Sequence, residues 1–412
     1  MSTQGIPLGN EFKNRLLLLA LAFAVFSAAV IDVMMPLLLT DVAMTFQVTP
    51  GTASTVSSIS AIAGVAIGLL MAVLSVRFNH KTLLLIGVFC ISAAAFGSFW
   101  APTFLAMQIV YSLNGVGSVM VGAMALALIG ESYSVEKRGK AVGWIVAAGF
   151  LAFTVGAPMT GLLVGFGDWR SVMLWFNLPV SIASLLFAFT VIPSKLGEKQ
   201  IAAKMPILAG CRQALTNKSA VACLMGGLLV SSAGVITFYV ISYWKTQFAL
   251  TTSFGSIITM INATTAAMGG ILAGRLLNRT GRKLTGVVAG FFGAIMIILT
   301  VFMPSLEASW AVSIIRVWCF GMLSASFASL TLEQIPKFRG TMMSLRGAFA
   351  GVGTFLGTFL GGLVLNNSNH NYQTVGIILG AFAFGAISIV LFFAKDPFKA
   401  QLNEKEFEHT QE

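Results

Sequence analysis

Apolar stretches of about twenty residues alternate with short polar segments along nearly the whole chain. A helix of about twenty apolar residues spans the roughly 30 Å hydrocarbon core of a bilayer. The pattern therefore predicts an all-α membrane protein with twelve transmembrane helices. The predicted spans lie near residues 14–39, 53–76, 82–100, 104–130, 141–165, 171–193, 220–244, 254–277, 284–303, 309–332, 342–365 and 374–394.

The second half of the chain repeats polar features of the first half about 200 residues later. The repeated features are the basic loops Arg77–Lys81 and Asn278–Lys283, the acids Glu131 and Glu333, and the segments Ser27–Asp32 and Ser232–Thr237. A parallel repeat of six helices is typical of transporters whose substrate site lies between two halves. We therefore predict two pseudo-symmetric six-helix bundles, residues 1–193 and 220–394, with a cytoplasmic central loop at 194–219 and a cytoplasmic tail at 395–412.

The composition indicates a surface that faces lipid. The 412 residues are 57% hydrophobic and 9% charged, whereas soluble domains carry about 25% charged residues. The net charge of +11 is spread over short segments between apolar runs, so we expect no nucleic-acid partner. The four cysteines lack metal-ligand spacing, and the three histidines fall in loops or the tail. We therefore expect no metal, no cofactor and no enzymatic activity.

The distribution of Lys and Arg predicts the orientation of the chain. Apart from two arginines within the spans, all of these residues fall in loops on one side except Arg170 and Lys245, which adjoin spans. Cytoplasmic loops carry the excess of positive residues. We therefore expect a multi-pass protein of the inner (cytoplasmic) membrane with both termini in the cytoplasm.

One loop segment resembles a motif of the major facilitator superfamily. Gly274–Lys283 reads G-R-L-L-N-R-T-G-R-K and matches G-x-x-x-D-R-x-G-R-K at most positions, with Asn278 in place of Asp. The first-half copy is weaker, with Val76 at the acidic position and Asn79 at the glycine. The resemblance extends across essentially the whole chain. It implies the major facilitator fold and a monomer that works by alternating access.

Two further segments are similar to the drug:proton antiporter branch of this superfamily. Gly167–Pro179 is similar to its G-W-R-x-x-F-x-x-N-x-P run, and Asp32–Pro36 to the D-x-x-x-P of bacterial multidrug and chloramphenicol efflux proteins. The fifth-helix motif G-P-x-x-G-G reads A-P-M-T-G-L at Ala157–Leu162, and Tyr111 precedes the fourth-helix N-G-V-G, where the family offers an Arg. This likeness implies a proton as coupling ion, a small-molecule substrate and the lipid bilayer as partners.

Three charged side chains, Asp32, Arg316 and Arg346, lie more than three residues inside predicted spans, where a charge costs at least ~2.5 kcal/mol by insertion scales. Asp32 has small or apolar neighbours on its own helix, so we expect it to bind and release a proton and to bind substrate. A structural ion pair with an arginine of another helix is the alternative. Arg316 and Arg346 are expected to bind substrate through their planar donor forks. Pairing with Asp32 and snorkelling to the interface are their alternatives.

Uncharged residues of the spans complete the predicted substrate site. The polar ones are expected to form hydrogen bonds with the substrate, although hydrogen bonds between helices explain them about equally well. Met35 is expected to form an adaptable apolar wall. These residues are Met35, Tyr111, Asn114, Tyr239 and Asn262.

We interpret the loop motifs as parts of a gate, because basic groups there can bond carbonyls at helix C-termini. The alternative is that these residues only set the topology of the chain. The predicted gate residues are Arg77, Lys81, Glu131, Arg138, Arg279, Gly281, Arg282, Lys283, Glu333 and Arg339. The predicted helix-packing residues are Pro158, Gly161, Gly353, Gly357 and Gly361.

The leading hypothesis is a secondary transporter that exports small amphipathic or lipophilic compounds in exchange for protons. The alternative is a carrier of an organic anion or metabolite, because the spans contain two arginines, Arg316 and Arg346, and one acid, Asp32. A non-transporting membrane receptor is a minor alternative, since the central loop and tail are the only extensive soluble parts.

Overall fold

The computed structural model describes residues 8–133, 135–193, 207–335, 339–368 and 371–396. Within these ranges the chain forms helices and no strands, and twelve helices are long and apolar enough to cross a membrane. The prediction of an all-α protein with twelve transmembrane helices is therefore confirmed. The first six are α1 Leu8–Thr45, α2 Pro50–Ala53 with Thr55–Arg77, α3 His80–Trp100, α4 Phe104–Ser132, α5 Val135–Phe166 and α6 Trp169–Val191. The second six are α7 Lys218–Gly234 with Ile236–Gln247, α8 Thr252–Thr280, α9 Arg282–Thr300, α10 Leu306–Glu333, α11 Arg339–Asn367 and α12 Tyr372–Phe393. A short helix, Ile207–Thr216, precedes α7.

Most helices extend past the spans predicted from hydropathy. The first predicted span ends at residue 39, whereas α1 continues to Thr45 through a polar turn that holds Asp41. Hydropathy detects only the apolar part of a helix, and the backbone hydrogen bonds continue where the side chains become polar. The predicted boundaries were therefore short by several residues at such ends.

Proline marks an irregular turn within α6. A π-helical segment, Met173–Asn177, lies directly before Leu178 and Pro179. Proline has no N–H to donate and its ring crowds the carbonyl four residues earlier. The wider π turn accommodates that lost hydrogen bond.

Side-chain caps begin the repeated helices α4 and α10 in the same way. The Thr103 hydroxyl accepts a hydrogen bond from the Ala106 N–H at 3.2 Å, and the Ser305 hydroxyl accepts one from the Ala308 N–H at 3.3 Å. Each cap satisfies a backbone donor that has no partner within the helix. The repeat thus extends to the residues that start these helices.

The chain divides into two compact units. Unit 1 comprises Met1–Val42, Ile59–Ala203 and Thr252–Met260. Unit 2 comprises Ala43–Ser58, Lys204–Thr251 and Ile261–Glu412. Each unit thus contains one short segment from the opposite half of the sequence.

Unit 1 is organised around the packing of α1, α3 and α4. Its core includes the fully buried Leu21, Leu84 and Val121. A methyl group at Gly117 of α4 would collide with the carbonyl oxygen of Gly87 in α3. Small residues therefore set the close approach of these helices, as is common within membranes.

Unit 1 also contains the beginning of α8. The hydroxyl of Ser253 donates a hydrogen bond to the carbonyl oxygen of Gly161 in α5 at 2.7 Å. A methyl group at Gly161 would collide with the Ser256 side chain. The predicted packing glycine Gly161 therefore lies at a contact between α5 and α8, and the preceding Pro158 lies half-buried within α5.

Unit 2 places α11 directly against α7. Methyl groups at Gly353 and Gly357 would collide with the backbone of Leu228 and Ser232, respectively. The Ser232 hydroxyl donates to the Gly353 carbonyl oxygen at 2.8 Å. The spacing of four residues puts these glycines on one face of α11, where they allow the two backbones to approach.

Unit 2 also includes the start of α2. The Ser54 hydroxyl donates to the Thr358 carbonyl oxygen at 3.2 Å, and the hydroxyls of Ser58 and Thr358 lie 2.7 Å apart. Thr49 donates to the side-chain oxygen of Asn366 at 2.5 Å. These bonds join α2 and its preceding turn to α11.

Candidate substrate and coupling site

Asp32 of α1 forms a hydrogen-bonded pair with α4 in unit 1. Asn114 donates from Nδ2 to Asp32 Oδ1 at 2.7 Å, and the Tyr111 hydroxyl donates to the Ile31 carbonyl oxygen at 3.2 Å. Asn114 and Tyr111 are buried, whereas the Asp32 side chain is exposed. Ser118 supports the amide through a 3.5 Å bond to Asn114 Oδ1. The site thus holds one carboxylate oxygen and leaves the Asp32 side chain accessible.

The partners of Asp32 are neutral. Among the described residues, no Lys, Arg or His lies within ion-pair distance of its carboxylate. An amide donor stabilises a carboxylate without cancelling its charge. The Asp32 site can therefore exchange a proton or accept a cationic group.

Arg316 of α10 occupies a buried position in unit 2. It donates from Nη2 to the Ser313 hydroxyl at 3.0 Å and from Nη1 to the Thr237 hydroxyl of α7 at 3.4 Å. Its side chain is 4% exposed, and its Nε has no hydrogen-bond partner. No carboxylate of the described chain lies within ion-pair distance of the guanidinium.

The two sites occupy corresponding positions of the sequence repeat. Asn114 and Arg316 are 202 residues apart, as are Glu131 and Glu333. Asp32 and Thr237 end the matching segments of α1 and α7. In unit 1 a residue of α4 therefore donates a hydrogen bond to α1, and in unit 2 a residue of α10 donates one to α7. The acid Asp32 belongs to unit 1 and the base Arg316 to unit 2. Sequence reasoning missed Ser313, although the same repeat aligns it with Tyr111.

The other predicted substrate residues lie in varied surroundings. Tyr239 is fully buried, and its hydroxyl donates to the Thr358 carbonyl oxygen at 2.6 Å. Its ring lies against Gly361, another of the predicted packing glycines. These contacts are helix-to-helix bonds, the alternative left open for Tyr239. Asn262 accepts a 3.3 Å bond from the indole N–H of Trp310.

Met35 and Arg346 differ in burial. Met35 is 1% exposed and belongs to the packed interior, so no adaptable wall is formed by it in this structure. Arg346 is partly exposed in α11, and its Nε has no hydrogen-bond partner within the described part of the chain. The structure shows no contact that brings Arg346 to Arg316.

Among the described side chains, the predicted gate residues Glu131 and Glu333 each lie beside a basic residue of their own unit. Glu131 Oε1 lies 2.6 Å from Nδ1 of His80, and Glu333 Oε1 lies 3.3 Å from Nη1 of Arg282. His80 and Arg282 are again 202 residues apart. Sequence reasoning missed His80 as a partner, although its place in the weaker loop motif aligns it with Arg282.

Two repeated lysines bind carbonyl oxygens near helix C-termini. Lys81 Nζ donates to the Phe189 carbonyl at 2.8 Å in unit 1, and Lys283 Nζ donates to the Ala394 carbonyl at 2.8 Å in unit 2. A positive charge at a helix C-terminus complements the helix dipole. Asp396, which no sequence argument identified, accepts a bond from the Lys283 N–H at 2.9 Å.

The remaining gate predictions have partial structural descriptions. Arg77 is exposed at the end of α2, and Gly281 has a φ of 86°, a conformation that favours glycine. The side chains of Arg138, Arg279 and Arg339 lie outside the described residues.

Twelve membrane-length helices in the described part of the chain, with polar pairs that recur between its halves, are typical of transporters built from parallel repeats. A family model described as Major Facilitator Superfamily matches residues 17–337. The chain therefore belongs to the major facilitator superfamily. Its members are generally carriers rather than enzymes.

Relatives of this chain include several bacterial transporters. Multidrug resistance protein 2 of Bacillus subtilis is 20% identical over 322 residues, covering 74% of this chain and 77% of that protein. The uncharacterized MFS-type transporters YybF and YhcA of the same organism are 25% and 24% identical over 150 and 185 residues, which cover 36% and 45% of this chain. The matches span about a third of the length of these two relatives, 37% of YybF and 34% of YhcA.

Solved structures share the fold at low sequence identity. The nucleoside transporter NupG is 17% identical with a TM-score of 0.75, covering 92% of this chain and 100% of that chain. A D-xylose-proton symporter is 16% identical with a TM-score of 0.73, covering 93% of this chain and 98% of that chain. The major facilitator fold predicted from the sequence is thus confirmed.

Proposed function

We propose that this transporter exchanges protons for small amphipathic or lipophilic compounds and that Asp32 is the residue at which the exchange occurs. The observation that carries the proposal is the pairing of Asp32 with a neutral amide. The negative charge of Asp32 is therefore available to a proton or to a substrate. Competition between proton and substrate for this one carboxylate couples their movements.

Several observations support placing the coupling step at Asp32. The carboxylate lies within a span, where an ionisable group is costly and therefore points to a function. Its side chain is exposed while its amide donor, Asn114, is buried, so the donor is fixed and the rest of the carboxylate is open. Multidrug resistance protein 2, a relative over most of the chain, supports export of amphipathic compounds as the form of the exchange.

We also propose a cellular arrangement for this activity. The concentration of Lys and Arg in one set of loops supports an inner-membrane protein with both termini in the cytoplasm. Protons entering down their gradient would then drive export of the substrate. A monomer suffices, because both repeat-related sites are contained in one chain.

The test is pH-driven transport by the Asp32→Asn variant in proteoliposomes. Asparagine keeps the size of the side chain and can still meet Asn114, but it binds no proton. We expect at least a tenfold loss of pH-driven counterflow, since the coupling group is removed. Asp168→Asn is the matched control: Asp168 is an exposed N-cap of α6, and asparagine caps equally well. Undiminished pH-driven counterflow in Asp32→Asn would end the proposal.

A further inference from the structure

Arg316 lies deep within the tenth transmembrane helix. It follows Leu306, the first residue of α10, by ten residues, which is about 15 Å of helix. The helix continues for seventeen residues after it, to Glu333. Arginine reaches the interface by snorkelling only near a helix end. The guanidinium therefore stays at the depth at which the span places it.

The protein surrounds this guanidinium with hydroxyl groups and leaves part of it unused. Arginine has five N–H donors, and the hydroxyls of Ser313 and Thr237 accept from Nη2 and Nη1. Nε has no hydrogen-bond partner although Arg316 is 4% exposed. The edge that carries Nε is thus oriented by the bonds at the other nitrogens and remains able to donate.

A buried cation without an acidic partner needs compensation. Leaving a charge unpaired in the interior costs several kcal/mol after relaxation, and the described residues supply no carboxylate to Arg316. In unit 1 the corresponding donor is the neutral Asn114, and the protein itself supplies the acid, Asp32. In unit 2 the donor is charged and Thr237 replaces the acid. The described residues thus leave Arg316 free to pair with an acidic group of a ligand.

We propose that Arg316, with Thr237 and Ser313, forms an anion-binding site in unit 2 that takes a carboxylate or sulfonate group of the transported compound. A planar guanidinium binds such groups through two parallel hydrogen bonds. The proposal rests on the proposed transport function and narrows its substrates to amphipathic zwitterions, because a compound without a cationic group could not compete with the proton for Asp32. Binding of the acidic group at Arg316 does not require Asp32, which lies in the other unit.

The test is ligand binding by the purified full-length protein in a neutral detergent. The probes are three compounds with one apolar body and different head groups: 2-naphthoate, 2-naphthamide and 2-naphthylmethylamine, with decanoate, decanamide and decylamine as a second set. Thermal unfolding is followed at constant chloride, because a ligand that binds only the native state stabilises it by RT ln(1 + [L]/Kd), which rises as Kd falls. We expect the carboxylate of at least one set to bind about tenfold more tightly than its amide, the gain of a charge-assisted pair.

Variants then assign this preference to Arg316. In Arg316→Gln the preference for the carboxylate should disappear while amide binding stays within about twofold, since only the charge is removed. Arg316→Lys should retain a weaker preference, because an ammonium group lacks the planar fork. Arg212→Gln, at an exposed position of the short helix Ile207–Thr216, is the matched control and should keep the full preference. Should Arg316→Gln fail to fold, Thr237→Val and Ser313→Ala each remove one orienting bond and should each reduce the preference.

Three outcomes would overturn the proposal. They are equal binding of carboxylate and amide by the native protein, an unchanged preference in Arg316→Gln, and an equal loss in Arg212→Gln. Repeating the titration with chloride replaced by gluconate, and with added phosphatidylglycerol, separates an organic substrate from chloride or a lipid head group. Competition by either one at the level of the probe would assign the site to that ion or lipid instead. Asp32→Asn should bind the carboxylate normally, so failure of coupling and failure of this site are distinguishable.

Discussion

The two units share a scaffold and differ in charge at corresponding positions. In unit 1 the neutral Asn114 donates to the acid Asp32; in unit 2 the base Arg316 donates to the neutral Thr237. The same helices of each set meet in both cases. The repeat therefore conserves a hydrogen bond between two helices, while the location of the charge has changed.

A second pair of corresponding positions differs in the kind of basic residue. Glu131 contacts His80 in unit 1, whereas Glu333 contacts Arg282 in unit 2. A guanidinium offers five N–H donors, whereas an imidazole has two ring nitrogens. Unit 2 thus places a guanidinium where unit 1 places an imidazole. This difference indicates that the repeat preserved contacts and divided the chemistry between the units.

The largest expected effect comes from giving unit 1 an arginine at position 114, which corresponds to Arg316 of unit 2. Asn114→Arg would place a cation beside Asp32 and make a buried ion pair, which holds both side chains. We expect pH-driven counterflow to fall at least tenfold, because the carboxylate would no longer be available to a proton. The measurement is transport in proteoliposomes with an imposed pH gradient.

Asn114→Leu is the control for this substitution. Leucine fills a similar volume and removes the hydrogen bond without adding a charge. Transport should fall less than in Asn114→Arg. An equal loss in the two variants would show that the hydrogen bond, and not the free charge, is what Asp32 requires.

A smaller effect is expected from the glycines that bring α7 and α11 together in unit 2. A methyl group at Gly357 would collide with the backbone of Ser232, whereas one at Gly347 of the same helix meets nothing within 4 Å. Gly357→Ala should therefore destabilise the protein by about 1–3 kcal/mol through overpacking. Gly347→Ala should be neutral or stabilising by up to ~1 kcal/mol, because alanine favours helix more than glycine does. Denaturation of the purified protein in detergent measures both, and equal changes would contradict the assigned helix contact.

The smallest effect concerns the ion pairs at Glu131 and Glu333. Arg282→Ala should lower the free energy of unfolding by about 1 kcal/mol or less, since it removes one partly exposed ion pair. His80→Ala, which removes the contact with Glu131, should have an effect of similar size. Denaturation of the purified protein in detergent measures both, with Arg77→Ala, at an exposed position, as the control. A loss no greater than that of Arg77→Ala would contradict a stabilising role for either contact.

The sequence predicted the scaffold of this protein well. Twelve apolar runs predicted twelve spanning helices because a bilayer requires each crossing to satisfy its own backbone hydrogen bonds. Repeated loop residues also aligned His80 with Arg282 and Glu131 with Glu333, so the pairs could have been found by extending the repeat. The ends of α1 and the π turn of α6 were missed, since hydropathy does not report how far backbone hydrogen bonding continues.

The chemistry of individual residues depended on the tertiary structure. In the sequence, Asp32, Tyr239 and Arg316 are all polar residues within apolar spans. Only the structure shows that their neighbours differ. Tyr239 donates to a backbone carbonyl, Asp32 accepts from an amide, and Arg316 has no acid beside it. The sequence by itself determined which segments enter the membrane, because transfer into lipid depends on the composition of each segment. Only the tertiary structure decided which buried polar groups are satisfied by the protein, because that depends on side chains brought together from helices far apart in the chain.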